Sequence, residues 1–289
     1  NAFIKSRRPD AFLMAEIYNP ESYRDYLYIG KMDALYNKVG LYDTLRDIIC
    51  YEHSTDRIDW TQDTLVDIWS RMLHFLENHD EQRIASDGFA QDPRYALPAM
   101  AVSTHLNDAS VMVYFGQEVG EAAREAAGFG SPTRTSIFDY MGVPAFQRWV
   151  NGKRYDGGAL TPEERSLRDY YCRLLSLSVE GTFRNIHRYN REHTPYYNDK
   201  VYSFVRETVH AKWLIVVNFS KSDSFGFELQ VPPELLTTWD LPNGSYPLSD
   251  KLYGEVQTHF HRTDSYGHMC VDIAPLQTLF FKLKVKNEE

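Results

Sequence analysis

At 289 residues and 33.6 kDa, with 43% hydrophobic and 25% charged residues, the chain has ordinary globular composition and room for one large or two medium domains. A net charge of −9, a pI near 5.6 and no basic block argue against a nucleic-acid partner, and no apolar run approaches the roughly 18 residues that cross a bilayer. A neutral polysaccharide is compatible with this charge, while Cys50, Cys172 and Cys270 are too scattered for a disulfide framework or a metal-ligand spacing and are expected as core thiols.

In chain order, residues 1 to 11 read as the end of a helix stopped by Arg7-Arg8-Pro9-Asp10. The apolar run that starts at Ala11 predicts a first strand, which delivers the carboxylate Glu16 followed by Ile17-Tyr18-Asn19 and Pro20. Met32 to Tyr36 predicts a second strand, and Leu41, Leu45, Ile48 and Ile49 recur at helical spacing. A further helix is expected from Thr61, with Thr61 and Thr64 as caps and Leu65, Ile68, Trp69 and Met72 on one face. It leads into the apolar run Met72 to Leu76, which ends in Glu77-Asn78-His79-Asp80-Glu81-Gln82-Arg83. A polar loop then runs to Pro93, followed by a helix through Ala99, Ala101 and Val102 and a strand from Val111 to Phe115. Strands alternating with helices predict a parallel sheet with helical crossovers, and such sheets present functional side chains at the C-terminal ends of their strands.

Residues 128 to 158 are Gly-rich, with Phe138, Tyr140, Phe146 and Trp149, and read as a long loop over that mouth. Thr161-Pro162-Glu163-Glu164 is a capping box with Pro at the first helical position, opening a helix whose apolar face is Leu167, Tyr170, Tyr171, Leu174, Leu175 and Ser178. From about Glu180 the pattern changes to short β-rich runs, Val201 to Glu207, Lys212 to Phe219, Phe225 to Val231 and Thr278 to Val285 among them. Pro232-Pro233, Asn243-Gly244 and Ser265-Tyr266-Gly267 punctuate them, which predicts an antiparallel β-sandwich after the α/β layer. His259 and His261 share one face of a strand and, lacking a third ligand nearby in sequence, read as surface histidines.

Two strand-end carboxylates on one face, Glu16 and Asp80, are what glycoside hydrolysis needs: an acid to protonate the leaving oxygen, and carboxylates to meet positive charge at the sugar carbon. Taken alone, Glu16 could equally cap a helix or pair with an arginine, and His79 could be a core histidine. Arg83 could bind a carboxylate of the site or pair with Glu81 or Glu77 on the surface.

The segments Ala15-Glu16-Ile17-Tyr18, Phe75-Leu76-Glu77-Asn78-His79-Asp80 and Tyr114-Phe115-Gly116-Gln117-Glu118 together resemble the α-amylase family of α-retaining glycoside hydrolases, in that family's order for strands five, seven and eight. The resemblance implies that Glu16 is the general acid/base, Asp80 the stabiliser of the transition state and His79 a ligand of sugar hydroxyls, with Asn78, Tyr18 and Arg83 among the substrate-binding residues and Glu118 orienting the strand-eight loop. It implies an α/β fold: a partial (β/α)8 TIM-type barrel, strands five to eight, over residues 1–180, then an antiparallel β-sandwich domain over 181–289. The implied substrates are α-1,4-glucans such as starch, glycogen and maltooligosaccharides, acted on with retention.

The family's nucleophile, an Asp in a Gly-Phe-Arg-x-Asp type segment on strand four, has no counterpart in this sequence. The expectation is therefore a C-terminal portion of an amylase-like enzyme, inactive alone. A half barrel leaves two parallel edges, so the expected partners are the missing N-terminal half or a second copy, besides the α-glucan itself. No metal is assigned; calcium is common in the family, usually on ligands in its N-terminal part, so the expectation is calcium in the parent through residues not in this chain. Two rival readings are a non-catalytic carbohydrate-binding or scaffold protein on an amylase-like fold and a transglycosylase or branching-type parent. Cellular location does not follow from the sequence.

Overall fold

The computed structural model describes residues 1–124 and 142–285. Its first layer is a parallel sheet of four short strands in sequence order, β1 (Met14–Ala15), β2 (Ala34–Tyr36), β3 (Met72–Phe75) and β4 (Ser110–Met112). Leu35 pairs with Met72 and Leu73 with Ser110, so all four strands end on one side. β3 is buried along its whole length, as a parallel strand covered on both faces must be. Alternation sends His74 back to the Ser103 carbonyl, while Leu73 and Phe75 face the other way and pack with Tyr36 and Tyr42.

Helices α1 (Ala2–Arg7), α2 (Tyr23–Tyr28), α3 (Asp43–Tyr51), α4 (Asp56–Thr64) and α5 (Leu97–His105) are interleaved with these strands. The start of α4 corrects the expectation of a helix from Thr61: the helix ends where the local pattern seemed to begin it. Its first turn is set by long-range partners, with Asp56 accepting from His187 at 2.7 Å and Asp59 from Arg188 at 3.0 Å. Thr61 therefore lies inside α4, its hydroxyl donating to the Ile58 carbonyl, and Met72 belongs to β3.

Residues 144–150 are helical, as α6 (Pro144–Val150), where a loop was expected. The Glu121 carboxylate, 24 residues upstream, accepts from the Ala145 and Phe146 amides at 2.9 and 3.3 Å and so satisfies the open end of the helix. Phe138 and Tyr140 lie outside the described residues. Helix α7 (Pro162–Ser176) carries the capping box, with the Thr161 hydroxyl accepting from the Glu164 amide and the Glu164 carboxylate from the Thr161 amide. Leu167, Tyr170, Tyr171 and Leu174 are buried, while Leu175 is 45% exposed and Ser178 lies past the helix end, so the buried face is narrower than its sequence suggests.

Beyond residue 181 the chain forms two antiparallel sheets. One has the order β12-β7-β6-β5, from β5 (Thr182–Asn185), β6 (Val201–Glu207), β7 (Ala211–Asn218) and β12 (Thr278–Lys284). The other has the order β8-β11-β10-β9, from β8 (Phe225–Val231), β9 (Gly244–Ser249), β10 (Gln257–Arg262) and β11 (Gly267–Ile273). Helix α8 (His187–His193) and the short α9 (Pro233–Leu236) fill the connections.

The first of these sheets is the middle layer. Trp213, Ile215 and Val217 of β7 join Phe204 and Phe280 in a core shared with α3, α5 and α7, while Leu214 and Val216 face the second sheet. That double burial explains why β6, β7 and β12 are buried along almost their whole length, whereas burial alternates along β8 and β11. The expectation of core thiols is corrected for two cysteines: Cys172 and Cys270 are exposed, Cys270 because even-numbered residues of β11 face solvent.

Candidate active site

Glu16 is the residue after β1, and Asn78, His79 and Asp80 follow β3 by three to five residues, on the same rim of the sheet. Two strand ends separated by β2 thus meet at one imidazole: His79 Nε2 lies 3.8 Å from a Glu16 oxygen and 3.4 Å from an Asp80 oxygen. All three side chains are partly open to solvent, at 32%, 33% and 52%, and so are accessible to a bound molecule. Among the described residues they are also the group whose ligand atoms all lie within 4.8 Å of one another, and they could hold a metal ion in that arrangement.

The turn that presents His79 and Asp80 is made by Asn78. Its Oδ1 accepts from the Asp80 and Glu81 amides at 2.8 Å each, the Asx-type local bond that lets an asparagine fold the backbone back on itself. Asn78 is 1% exposed and Arg83 is fully buried, and both shape the turn.

Arg83 pairs with Glu77 at 2.7 Å and donates to the Phe115 carbonyl at 2.7 Å, with the Tyr114 and Phe115 rings over its guanidinium. The alternative of a surface pair is thereby replaced by a buried one that ties the β3 turn to the segment after β4. Burial pushes the Glu77 carboxyl up, and Arg83 and the Ile84 amide, 2.7 Å from Glu77 Oε1, oppose that.

Tyr18 extends from the β1 end over the site, and its hydroxyl donates to Glu16. Partial burial and that carboxylate hold the Tyr18 hydroxyl well above its ordinary range, so it stays protonated and can keep donating. Lys38 lies over the Tyr18 and Tyr42 rings and pairs with Asp43 at 2.9 Å and Glu81 at 3.4 Å, bringing one positive charge to an acidic rim.

Sequence reasoning passed over Tyr36, Lys38 and Glu81. Tyr36 ends β2 between the two catalytic candidates, and burial first, then the charges of Glu16 and Asp80, raise its hydroxyl. The signal was present, since Tyr36 holds the same strand-end position that singled out Glu16. Nearby, the Tyr114 ring lies against Arg83, and Trp149 stacks on Phe146 with Arg168 over its ring.

Arranged this way, the rim can place an acid, a hydrogen-bonding imidazole and a second carboxylate around one bond of a ligand. The fold that carries it is shared with α-amylases of known structure. The chain superposes on the alpha-amylase of Geobacillus thermoleovorans, solved with acarbose, with a TM-score of 0.65 and 18% identity over 98% of this chain and 56% of that one. An Anoxybacillus alpha-amylase gives 0.59 and 17% over 99% and 55%, and the gamma-CGTase of an alkalophilic Bacillus clarkii gives 0.62 and 13% over 98% and 38%. The chain therefore spans about half the length of these amylases, and at such identities the likeness is one of fold. No family model matches the sequence, and no curated protein matches it significantly.

Proposed function

We propose that this chain carries the acid/base half of an α-retaining glycoside hydrolase site that acts on α-1,4-linked glucans. The observation that supports it most is the meeting of Glu16 and Asp80 at His79 across two strand ends, in a fold shared with α-amylases. In this reading Glu16 protonates the glycosidic oxygen and later deprotonates the incoming water. Asp80 faces the positive charge that develops at the sugar carbon, and His79 binds a sugar hydroxyl. Tyr18, hydrogen-bonded to Glu16, fixes that carboxyl while offering its ring to the ligand.

In this reading the nucleophile comes from outside these 289 residues, because no Gly-Phe-Arg-x-Asp segment occurs in the chain and the one carboxylate grouped with Glu16, that of Asp80, serves as the stabiliser. The four parallel strands then correspond to strands five to eight of a barrel, residues 1–180 to its second half and 181–289 to the following β domain. Strands β1 and β4 are the edges of the described sheet, and the partner proposed for them is the N-terminal half of the barrel or a second copy.

The test compares release of reducing sugar from maltooligosaccharides by this chain and by the same chain completed with an upstream segment supplying strands one to four. Activity is expected only in the completed form, reduced about 10²- to 10⁴-fold by Glu16→Gln. A comparable rate from the 289-residue chain would overturn the nucleophile assignment. Inactivity of both would overturn the catalytic reading in favour of carbohydrate binding, and new glucosidic linkages among the products would point to transfer rather than hydrolysis.

A further inference from the structure

The solvent face of the second antiparallel sheet carries a ladder of imidazoles far from the rim described above. His259 and His261 project from β10 with ring centres 6.2 Å apart, and His261 is the direct cross-strand partner of His268 on β11, with ring centres 5.3 Å apart. The third histidine that sequence spacing did not show is therefore supplied by strand pairing. The pairing also fixes the distance, since directly opposed side chains in an antiparallel pair start from Cβ atoms about 5 Å apart.

We propose that His259, His261 and His268 bind a divalent transition ion of the zinc class on this face. Two imidazoles on one tetrahedral ion, with nitrogens about 2 Å from the metal, have ring centres roughly 5 Å apart, which the His261–His268 pair matches at 5.3 Å, while His259 stands farther off, 6.2 Å from His261. Neutral imidazole is the donor that suits zinc, nickel and copper rather than calcium or magnesium.

The surroundings of His268 fit the same role. Its Nε2 lies 3.6 Å from a Glu228 oxygen, and Glu228 in turn accepts from the Tyr266 hydroxyl. A metal-binding histidine ordinarily has its second ring nitrogen hydrogen-bonded to a carboxylate, which orients the ring and raises its basicity; the 3.6 Å gap to Glu228 closes to such a bond when the ring turns toward the ion. The other nitrogen, Nδ1, is shielded from solvent and has no hydrogen-bond partner among the described residues. Stacked at 27°, the His261 and His268 rings do not yet converge on one point. His259 and His261 are exposed and free to turn about their side-chain bonds, so the ion draws them in. Exposed Cys270, two residues from His268, lies on the same face of β11.

Titration of the untagged chain with Zn²⁺ by calorimetry tests this, alongside the visible absorption of Co²⁺ bound in its place. One tight site and an intense tetrahedral cobalt spectrum are expected. His261→Asn/His268→Asn should weaken Zn²⁺ about 100-fold or more, and Glu228→Gln about tenfold, with circular dichroism unchanged because all three side chains face outward. Glu16→Gln/Asp80→Asn should leave the affinity intact, separating this site from the Glu16, His79 and Asp80 cluster. Absence of a tight site, or full affinity in the double histidine variant, would overturn the proposal.

Discussion

The parallel sheet and the antiparallel sheets solve opposite problems. Strands β1 to β4 are only two to four residues long, and ionisable groups stand buried beside them: His74, Glu77, Arg83 and, on α5, His105. Strands β6, β7 and β12 run seven or eight residues and are buried mainly through Val, Leu, Ile and Phe. The difference teaches where precision is obtained. Short strands hand the chain quickly to loops, and the loops keep their shape through buried polar contacts that contribute little net stability, while the apolar middle layer supplies the cohesion.

The sharpest way to break that comparison is to remove one partner of the buried ion pair. Arg83→Met leaves Glu77 buried without its guanidinium and should cost about 3–5 kcal/mol in urea unfolding, whereas Glu77→Leu/Arg83→Met should recover part of that loss. Ile215→Val, in the apolar layer, should cost only about 0.5–1.5 kcal/mol. If Arg83→Met proved no worse than Ile215→Val, the pair would not organise the turn.

Acid should act on the parallel layer next. Burial holds His74 and His105 down at about 4 against an ordinary 6.5, so between those values the unfolded chain binds protons that the folded chain refuses. Stability is therefore full above pH 6.5 and falls as the pH drops toward 4, by about 1.4 kcal/mol per pH unit for each histidine. Measuring unfolding free energy at pH 6.5 and 5.5 for the native chain and for His105→Gln checks it, the variant losing about half of these two histidines' share of the slope. An unchanged slope would show that His105 is not the neutral, buried group its surroundings describe.

Smaller effects sharpen the contrast. Thr161→Ala removes one half of the capping box and should cost about 1 kcal/mol in thermal unfolding, the same as at any well-formed helix start. Glu16→Gln should change stability by no more than about 0.5 kcal/mol, because the side chain is partly open to solvent. A large loss of stability in that variant would mean that Glu16 is a structural carboxylate.

Much of the candidate site's placement on strand ends could be read from residues alone. An apolar run ending in Glu16, and another ending in Asn78-His79-Asp80, announce strand ends, and alternation of strands and helices puts both ends on one rim. The capping box at Thr161 and the strands Val201 to Glu207 and Phe225 to Val231 were equally plain, because caps, turns and periodicity act within three or four residues of chain. Tertiary structure alone decided the rest. Asp56 and Asp59 begin a helix because His187 and Arg188 reach them from more than a hundred residues away, and Glu121 completes α6 across a gap of 24 residues. Arg83 is buried because the segment after β4 closes over it, and His268 meets His261 because β10 pairs with β11. Local pattern reports what a residue prefers, but desolvation and charge pairing depend on which atoms arrive from elsewhere in the chain, and that is settled only when the layers pack.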